Sequence, residues 1–295
     1  MQIIQNLRTQ TEIVANLKGT MRDSEQNRWT TVEIYQGINH AIDRWGERVK
    51  VPFLYSIVDG WQSNLYEYAL PWYVTPPLEV QQRRYSGLNV GSLQIDLDQG
   101  ASTWIDVTSW DVEPDGLGGY KLRLGTLPYN VDGRIIWWAK QGRIPTSVLT
   151  LESAVGTTTA TSLTITGTPT IGNAGFIKID DELIAYAGYT QAGGITTLLN
   201  LLRGVNGSTA ATHLDNAPVN WCIAVHRPDL YVQLEDQTAA YLYGLFLTDA
   251  SPQEIQHHTF QMRYRQQMAD EFWKRYTPLR QTKMRLGMTA TGSRR

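Results

Sequence analysis

Apolar residues early in the chain recur at three- and four-residue steps, which is the spacing of an amphipathic helix. The clearest case is the segment 31–49. Thr30 and Glu33 stand at its start with the spacing of a capping box, in which each side chain bonds the other residue's backbone N–H. Together with weaker stripes at 11–18 and 57–70, this pattern predicts helices through the first 75 residues. The stripe consists of Ile34, Tyr35, Ile38, Ala41, Ile42, Trp45 and Val49.

The period changes near Pro76 and Pro77, where apolar and polar residues begin to alternate as they do in half-buried strands. Short alternating segments separated by Gly, Pro, Asn and Asp then continue to about residue 227. From Pro228 the helical period returns. A second capping box, formed by Ser251 and Glu254, precedes a long periodic segment whose apolar side is predicted from Ile255, Phe260, Tyr264, Met268 and Phe272.

This order of elements predicts an α+β protein. Isolated helices of this length are marginally stable, so the N- and C-terminal helices are expected to pack together as one discontinuous α-helical bundle. Two small antiparallel β domains would then be insertions into that bundle. The predicted segments are 1–75 and 228–279 for the bundle, 76–145 and 146–227 for the β domains, and 280–295 for a basic C-terminal arm.

Composition narrows the classes of function. The 295 residues are 42% hydrophobic and carry a formal net charge of -2, which argues against wrapping a nucleic acid. One cysteine excludes an internal disulfide framework and the common zinc clusters. No apolar run approaches the roughly 20 residues that span a bilayer. The first residues lack the pattern of a signal peptide, so synthesis in a cytoplasm without export is expected.

Three adjacent carboxylates, Asp180, Asp181 and Glu182, are the first candidate for chemistry. They could bind metal or transfer protons. They also lie between two apolar segments, where a solvated hairpin tip is the simpler explanation because Asp tolerates turn dihedrals. We predict the hairpin tip. His213 and His226 are expected in loops of the same region without partners.

The remaining candidates also favour structure over chemistry. Adjacent helical residues point about 100° apart, so His257 and His258 are poorly placed to share one ion, and a solvated helix face is predicted. Cys222 stands in an apolar strand and is predicted to be a buried small hydrophobe. The nucleophile-elbow, phosphate-loop and dinucleotide motifs are absent. The sequence therefore predicts no enzyme, no cofactor and neither catalytic nor metal-binding residues.

Charge is unevenly distributed at the C-terminal end. After Glu271 the chain contains seven Lys and Arg residues and no acid. A frayed basic tail is one explanation. The other is an arm that orders on an acidic partner surface, as disordered termini do on binding.

The residues around the first capping box resemble a known family. The segment "MRDSEQNRWTTVEIYQGINHAIDRW" is similar to the opening of head-to-tail adaptor (connector) proteins of tailed bacteriophages. The segment "AAYLYGLFLTDASPQEIQHHTFQMRYRQQMADEFWKRY" is similar to the second half of their bundle. The residues that fill the opening pattern are Asp23, Arg28, Trp29, Thr30, Glu33, Ile38, Asn39 and Ala41.

A second resemblance lies in the predicted β domain 146–227. "GFIKIDDELIAYAG" followed by "LLNLLRGVNGSTAATHLDNAPV" is similar to a small β module found on several phage virion proteins. The two resemblances together cover roughly two-thirds of the chain. The matching residues of the module are Arg203, Gly204, Asn206, Gly207, Thr209, Ala211, His213 and Val219.

The family implies a structural virion protein at the head–tail junction. Its members form a ring, usually of twelve subunits, that docks on the portal, extends the DNA channel and contacts further neck or tail proteins. Viral DNA would pass through the lumen without sequence-specific binding, and no membrane is involved. The resemblance also implies that the C-terminal segment binds the portal, through Arg280, Lys283, Arg285, Leu286, Met288, Arg294 and Arg295.

Two other functions stay open on the sequence alone. The β domains could make this a carbohydrate-binding or fibre-attachment protein of the virion, for which Trp104, Trp137 and Trp138 are the candidate aromatic platforms. The helical half is large for a mere anchor, which argues against this. A tail-associated hydrolase is the third alternative, and it lacks paired carboxylates in a suitable context.

Overall fold

The computed structural model describes residues 6–21, 29–61, 66–69, 90–96, 104–106, 110–116, 120–124, 131–225, 227–245, 247 and 251–276. Within these ranges the chain forms four α-helices and fifteen strands, so the predicted α+β class is confirmed. None of the described helices has the length and apolar character needed to cross a bilayer.

Contacts divide the chain into two compact units. One contains Pro52–Ala139. The other combines Gln2–Val51 with Lys140–Pro278, so it includes both the helices and the segment 146–227. The predicted division into five segments stays a prediction.

The helices all belong to the second unit. They are α1 (Gln10–Thr20), α2 (Thr31–Trp45), α3 (Asp229–Leu245) and α4 (Pro252–Arg275). The capping box of α2 is confirmed, since the Thr30 N–H donates to Glu33 Oε2 at 2.7 Å and the Glu33 N–H donates to Thr30 Oγ1 at 3.2 Å. At α4, the Ser251 N–H donates to Glu254 Oε2 at 3.0 Å. These side chains satisfy backbone donors that a helix start leaves open.

Helix α2 packs its predicted apolar stripe into the core. Ile34, Ile38 and Ile42 are buried, and α2 contacts α3. The two helices approach closely at Gly37, where an added Cβ would lie 3.0 Å from Thr238 Cγ2. At the end of α2, the buried Trp45 indole N–H donates to the Gln233 side-chain oxygen on α3.

The strands are β1 (Asn6–Thr9), β2 (Lys50–Trp61), β3 (Glu67–Ala69), β4 (Val90–Asp96), β5 (Trp104–Asp106), β6 (Trp110–Pro114), β7 (Tyr120–Leu124), β8 (Val131–Lys140), β9 (Leu149–Thr150), β10 (Ser162–Thr166), β11 (Ala174–Ile179), β12 (Glu182–Ala187), β13 (Tyr189–Ala192), β14 (Ile195–Leu199) and β15 (Pro218–Val225). In the described residues they build four sheets.

Two of the sheets lie in the second unit. The larger has the order β1-β15-β11-β12, and β9 pairs with the end of β15. The smaller has the order β10-β14-β13. All pairings in both sheets are antiparallel. The first strand of the chain therefore completes a sheet whose other members come from residues 149–225.

The other two sheets have the orders β2-β8-β4-β5 and β3-β7-β6. The helix predicted over 57–70 is wrong, because β2 and β3 cover its described residues. The preceding segment explains the error. Phe53, Tyr55 and Ile57 stand at every second position, which is the spacing of one face of a strand, and aromatic and β-branched side chains favour strands. The helical prediction also failed at Asn6–Thr9, which is β1.

The helices and the larger sheet of the second unit share one hydrophobic core. Ile13 and Leu17 of α1 are fully buried, and α1 contacts β15. The Tyr231 hydroxyl at the start of α3 donates to the backbone oxygens of Asn6 (2.8 Å) and Ile223 (2.6 Å). One side chain thus ties α3 to both β1 and β15.

The segment after β8 enters this unit through a close backbone contact. An added Cβ on Gly142 would lie 2.3 Å from Gly172 Cα, so only glycine fits there. Two residues later, the Asn39 side chain of α2 bonds both backbone groups of Ile144, at 2.8 Å each. Arg143 forms an ion pair with Asp43 of α2, with Nη2 2.5 Å from Oδ2.

Candidate functional site

The residues predicted to bind the portal all lie in 280–295, outside the described residues. Trp104, Trp137 and Trp138, the candidate carbohydrate platforms, lie in β5 and β8, but the description does not extend to their side chains. The candidates that the structure does describe are the three carboxylates, His213, Cys222, His257 and His258, whereas His226 lies outside the described residues.

The hairpin predicted around the carboxylates is confirmed, but its chemistry differs from the expectation. Strands β11 and β12 pair from Ala174↔Ala187 to Ile179↔Glu182, and Asp180 and Asp181 form the turn. Asp180 adopts a left-handed φ of 50°, which Asp tolerates better than most residues. Asp181 is fully exposed, whereas the Glu182 side chain is 0% exposed. Glu182 was predicted to be solvated, and that prediction is wrong.

Glu182 ionises inside the protein because donors surround its carboxylate. The guanidinium of Arg203 binds it with two nitrogens, Nε to Oε1 and Nη2 to Oε2, each at 2.6 Å. The backbone N–H groups of Gly204 and Ala211 donate to the same carboxylate at 3.0 Å. A bidentate Arg–carboxylate pair with further donors is the arrangement that makes a buried charge tolerable.

His213 closes the cluster between two carboxylates. Its Nε2 lies 2.8 Å from Glu182 Oε2, and its Nδ1 lies 2.8 Å from Asp180 Oδ2. Each ring nitrogen therefore has a carboxylate oxygen within hydrogen-bond distance. The expectation that His213 has no partner is wrong. We call Glu182, Arg203 and His213 the buried ion cluster; Asp180, whose side chain is 62% exposed, contacts it from outside.

The loop between Arg203 and His213 is shaped to reach the hairpin. Gly204, Asn206 and Gly207 have left-handed φ values of 63°, 55° and 86°, which Gly and Asn adopt most readily. Ser208 Oγ then accepts from the Leu183 N–H at 2.9 Å. Arg203 Nη2 also donates to the Ala211 carbonyl at 2.5 Å. The spacing of Gly and Asn within this loop thus has a physical cause.

The buried ion cluster lowers the pKa of the Glu182 carboxyl group. Burial alone would raise the pKa of Glu182. Hydrogen bonds from Arg203, the Ala211 N–H and His213 outweigh burial and lower this pKa to about 2. Glu182 is therefore ionised beside the Arg203 cation at neutral pH.

The buried ion cluster is built to hold backbone segments together. Glu182, Arg203 and His213 have side chains that are at most 5% exposed, so a substrate could not reach them without opening the loop. In the part of the chain described, no group of three His, Cys, Asp or Glu residues is arranged to hold a metal ion. The geometry supports a latch between the hairpin tip and the loop 203–213.

The sequence contained a signal for this latch. Arg203 and His213 stand in a segment of small and polar residues, where buried charges are unusual unless a partner is supplied. The nearest acid in an apolar context is Glu182, which directly precedes the apolar part of β12. Considering the charged residues of both segments together would have paired Glu182 with Arg203 and His213.

The surroundings of Cys222 and of the two adjacent histidines on α4 agree only in part with the predictions. Cys222 is buried as predicted, at 1% exposure, and burial raises its pKa to about 12. His257 is exposed, but His258 is 2% exposed and its ring lies 5.6 Å from that of Tyr243. The prediction that both histidines lie on a solvated face is therefore wrong for His258.

Helix α4 also packs differently from its predicted apolar stripe. Ile255, Phe260 and Tyr264 were expected to face the core, but they are 37%, 64% and 47% exposed. Of the predicted stripe, Phe272 packs against the core beside Met262 and Trp273, and the inward side also makes polar contacts. Arg265 Nη1 binds Asp236 Oδ1 of α3 at 2.6 Å, and Gln237 Nε2 donates to Gln266 Oε1 at 3.2 Å. These polar contacts orient α4, which leaves aromatic side chains on its outer face.

Comparisons with family models, with curated proteins and with solved structures found no match to this chain.

Proposed function

We propose that this protein is a structural virion protein, an adaptor ring that docks on the portal of a tailed bacteriophage and links capsid to tail. In this proposal the helices form a discontinuous bundle. The segments 76–145 and 146–227 are the β domains inserted into it. The ring extends the DNA channel, and further neck or tail proteins bind its distal side.

The observation that carries the proposal is the position of the residues behind the resemblance. Trp29 is buried and its ring meets that of Tyr243 of α3 edge-on, with centroids 5.4 Å apart. Ile38 and Ala41 are fully buried, and Asn39 binds the backbone of Ile144. Trp29, just before α2, and Asn39, within it, thus contact distant parts of the chain. These contacts support the helical bundle that the adaptor proposal assumes.

The β module gives a second line of support. Arg203, Gly204, Ala211 and His213, which carry the resemblance, converge on Glu182. Their roles are in folding, which suits a module that recurs on different virion proteins as a spacer or decoration. The hairpin tip holds charge in a closed latch, and this favours a structural over a catalytic role.

The proposed portal contact is the basic arm, residues 280–295. Its cations favour an acidic surface, and Leu286 and Met288 add apolar contact area. DNA binding through cations weakens steeply with salt because counterions are released. A contact that also buries Leu286 and Met288 should weaken less.

Electron microscopy of the purified protein, alone and mixed with portal, tests the function directly. We expect rings on the portal with a central channel. A protein that stays off the portal and binds a carbohydrate array instead would establish the fibre-attachment alternative. Portal mixtures without any complex would contradict the adaptor proposal.

Truncation after Arg280 tests the portal contact separately. The truncated protein should keep its circular dichroism spectrum and lose portal docking. Two matched full-length variants divide the contributions: Leu286→Ser with Met288→Ser removes the apolar part, and Lys283→Gln with Arg285→Gln removes charge. A truncated protein that still joins portal-containing heads and yields infectious particles contradicts the assignment of the arm.

A further inference from the structure

The outer face of α4 carries a stacked aromatic pair. The rings of Phe260 and Tyr264 lie one turn apart, with centroids separated by 6.3 Å and planes within 11° of parallel. Both side chains remain substantially exposed. Aromatic side chains exposed together are typical of a surface that a partner covers.

Five polar residues continue this face along the helix. At 100° per residue, each of them points within about 60° of the direction of Gln267, as do the two aromatic residues. Phe260, Gln267 and Lys274 recur at seven-residue steps, the repeat with which two helices stay in contact along their length. We define the α4 stripe as Phe260, Arg263, Tyr264, Gln267, Asp270, Glu271 and Lys274.

The charges of the α4 stripe are arranged so that a second copy fits in one direction only. A cation, Arg263, precedes Gln267, and two anions, Asp270 and Glu271, follow it at a similar distance. A parallel second helix in register would place each charge opposite its own kind. An antiparallel helix places Arg263 of each copy opposite the Asp270 and Glu271 of the other, so the favourable contact occurs twice.

We propose that two copies of this protein associate through the α4 stripe, antiparallel and related by a two-fold axis near Gln267. In this arrangement the aromatic pair of each copy is covered by the other helix, and Phe260 comes opposite Lys274, a favourable cation–π combination. The pairing does not rest on the proposed function. A closed ring uses contacts between unlike surfaces, so this like-to-like contact is a separate association of the free protein.

The association should be weak and reversible. The α4 stripe consists of seven side chains, whereas a stable interface of roughly 800 Å² per partner involves about 20–30 residues on each side. Its apolar part contains only two aromatic side chains, so few residues supply most of the binding energy. Sedimentation equilibrium over a wide range of concentrations should show monomer and dimer in exchange. A strictly monomeric protein at the highest concentration would overturn the proposal.

Site-specific crosslinking tests the direction of the helices. Gln267→Cys places a thiol at the two-fold axis, and a short bismaleimide should join two copies efficiently. Gln253→Cys is the matched control on the same exposed side of α4, and antiparallel pairing sets its two copies about 40 Å apart. Cys222 is buried and should not react. Crosslinking of both variants means parallel helices, and crosslinking of neither means no α4 contact; either result overturns the proposal.

Complementary charge variants test the contact itself. Arg263→Glu makes the α4 stripe negative apart from Lys274, and the double variant Asp270→Arg with Glu271→Arg makes it positive. Each alone should dimerise about tenfold more weakly than the parent, because two attractions become two repulsions. A mixture of the two variants should form mixed dimers. Unchanged dimerisation of either variant, or a mixture that fails to associate, would contradict antiparallel pairing. Formation of rings by a protein whose Gln267→Cys variant does not crosslink would also contradict antiparallel pairing. This last result would leave the adaptor proposal intact.

Discussion

Helices α2 and α4 both begin with a capping box, and both carry apolar residues at helical spacing. In α2 these residues are buried, with Ile34 and Ile38 at 0% exposure. In α4 three of the five predicted residues, Ile255, Phe260 and Tyr264, point outward, with Phe260 at 64% exposure. The same sequence signal therefore leads to a core in one helix and to an open surface in the other.

The difference lies in what the third helix offers. Towards α2, α3 presents Leu242 and the methyl group of Thr238, which pack against Gly37. Towards α4 it presents Asp236 and Gln237, which bind polar partners. An apolar stripe thus shows which face of a helix gains from being covered, but the neighbouring element decides whether the same chain covers it.

The largest expected effect comes from placing a charge on the covered face. Ile38→Asp removes a fully buried side chain and buries an unpaired carboxylate, which should lower the free energy of unfolding by about 5 kcal/mol or more. Chemical denaturation followed by circular dichroism would measure it. A variant that melts like the parent would show that α2 is not part of the core.

The buried ion cluster extends the comparison to polar residues. Glu182→Ala leaves Arg203 and His213 without their buried acceptor and should cost about 4 kcal/mol. Asp181→Ala removes the neighbouring carboxylate, which is fully exposed, and should change stability by less than about 0.5 kcal/mol. Equal effects of the two substitutions would refute the latch. Denaturant titration of both variants in one buffer gives the answer.

A smaller effect is expected where α2 and α3 share a hydrogen bond. Trp45→Phe leaves the buried Gln233 oxygen without its donor and should cost about 2 kcal/mol. Adding Gln233→Leu removes the stranded polar group, so the double variant should recover part of the loss. If the losses of unfolding free energy caused by the two single substitutions simply add in the double variant, the hydrogen bond contributes nothing to stability.

Acid should destabilise the fold of the parent protein by protonating Glu182. Its folded pKa, about 2, lies below the ordinary value of 4.5, so the carboxylate stabilises the fold above pH 4.5. That stability is lost as the pH falls from about 4.5 towards 2. Melting curves across this range should fall more steeply for the parent than for Glu182→Gln, which has no such proton to bind. Parallel curves would mean that other carboxylates cause the acid loss.

The smallest expected effect belongs to the outer face of α4. Tyr264→Asp is the matched counterpart of Ile38→Asp, and it should change the unfolding free energy by less than about 0.5 kcal/mol because its side chain stays in water. A loss of several kcal/mol, measured by the same denaturation, would show that α4 depends on this face for folding and would erase the contrast between the two helices.

Local signals were enough to predict much of the fold. The capping boxes, the buried face of α2 and the hairpin at Asp180 each depend on a few neighbouring residues, and each is confirmed. Strand β2 was missed because Ile57 and Trp61 also fit a helical step, so two periods competed in one short segment. The strand pairing of β2 with β8 decides between them, and it joins residues far apart in sequence.

The buried ion cluster could not be read from any single segment. Glu182 shares its immediate sequence with two exposed carboxylates, and its burial depends on Arg203 and His213. The side of α4 that packs was equally hidden, because Asp236 and Gln237 on another helix select it. Sequence periodicity describes one element at a time, whereas both of these features belong to pairs of elements.

Strand β1 has a consequence for the order of events during synthesis. Asn6–Thr9 pairs with β15, and the Tyr231 hydroxyl that anchors Asn6 lies 225 residues later in the chain. A ribosome therefore releases β1 long before its neighbours exist. Closing such a large loop is entropically costly and slow, so the second unit should fold late and in one step. Until then the unpaired edge of β1 can form non-native strand pairs, which a chaperone bound to the nascent chain would suppress.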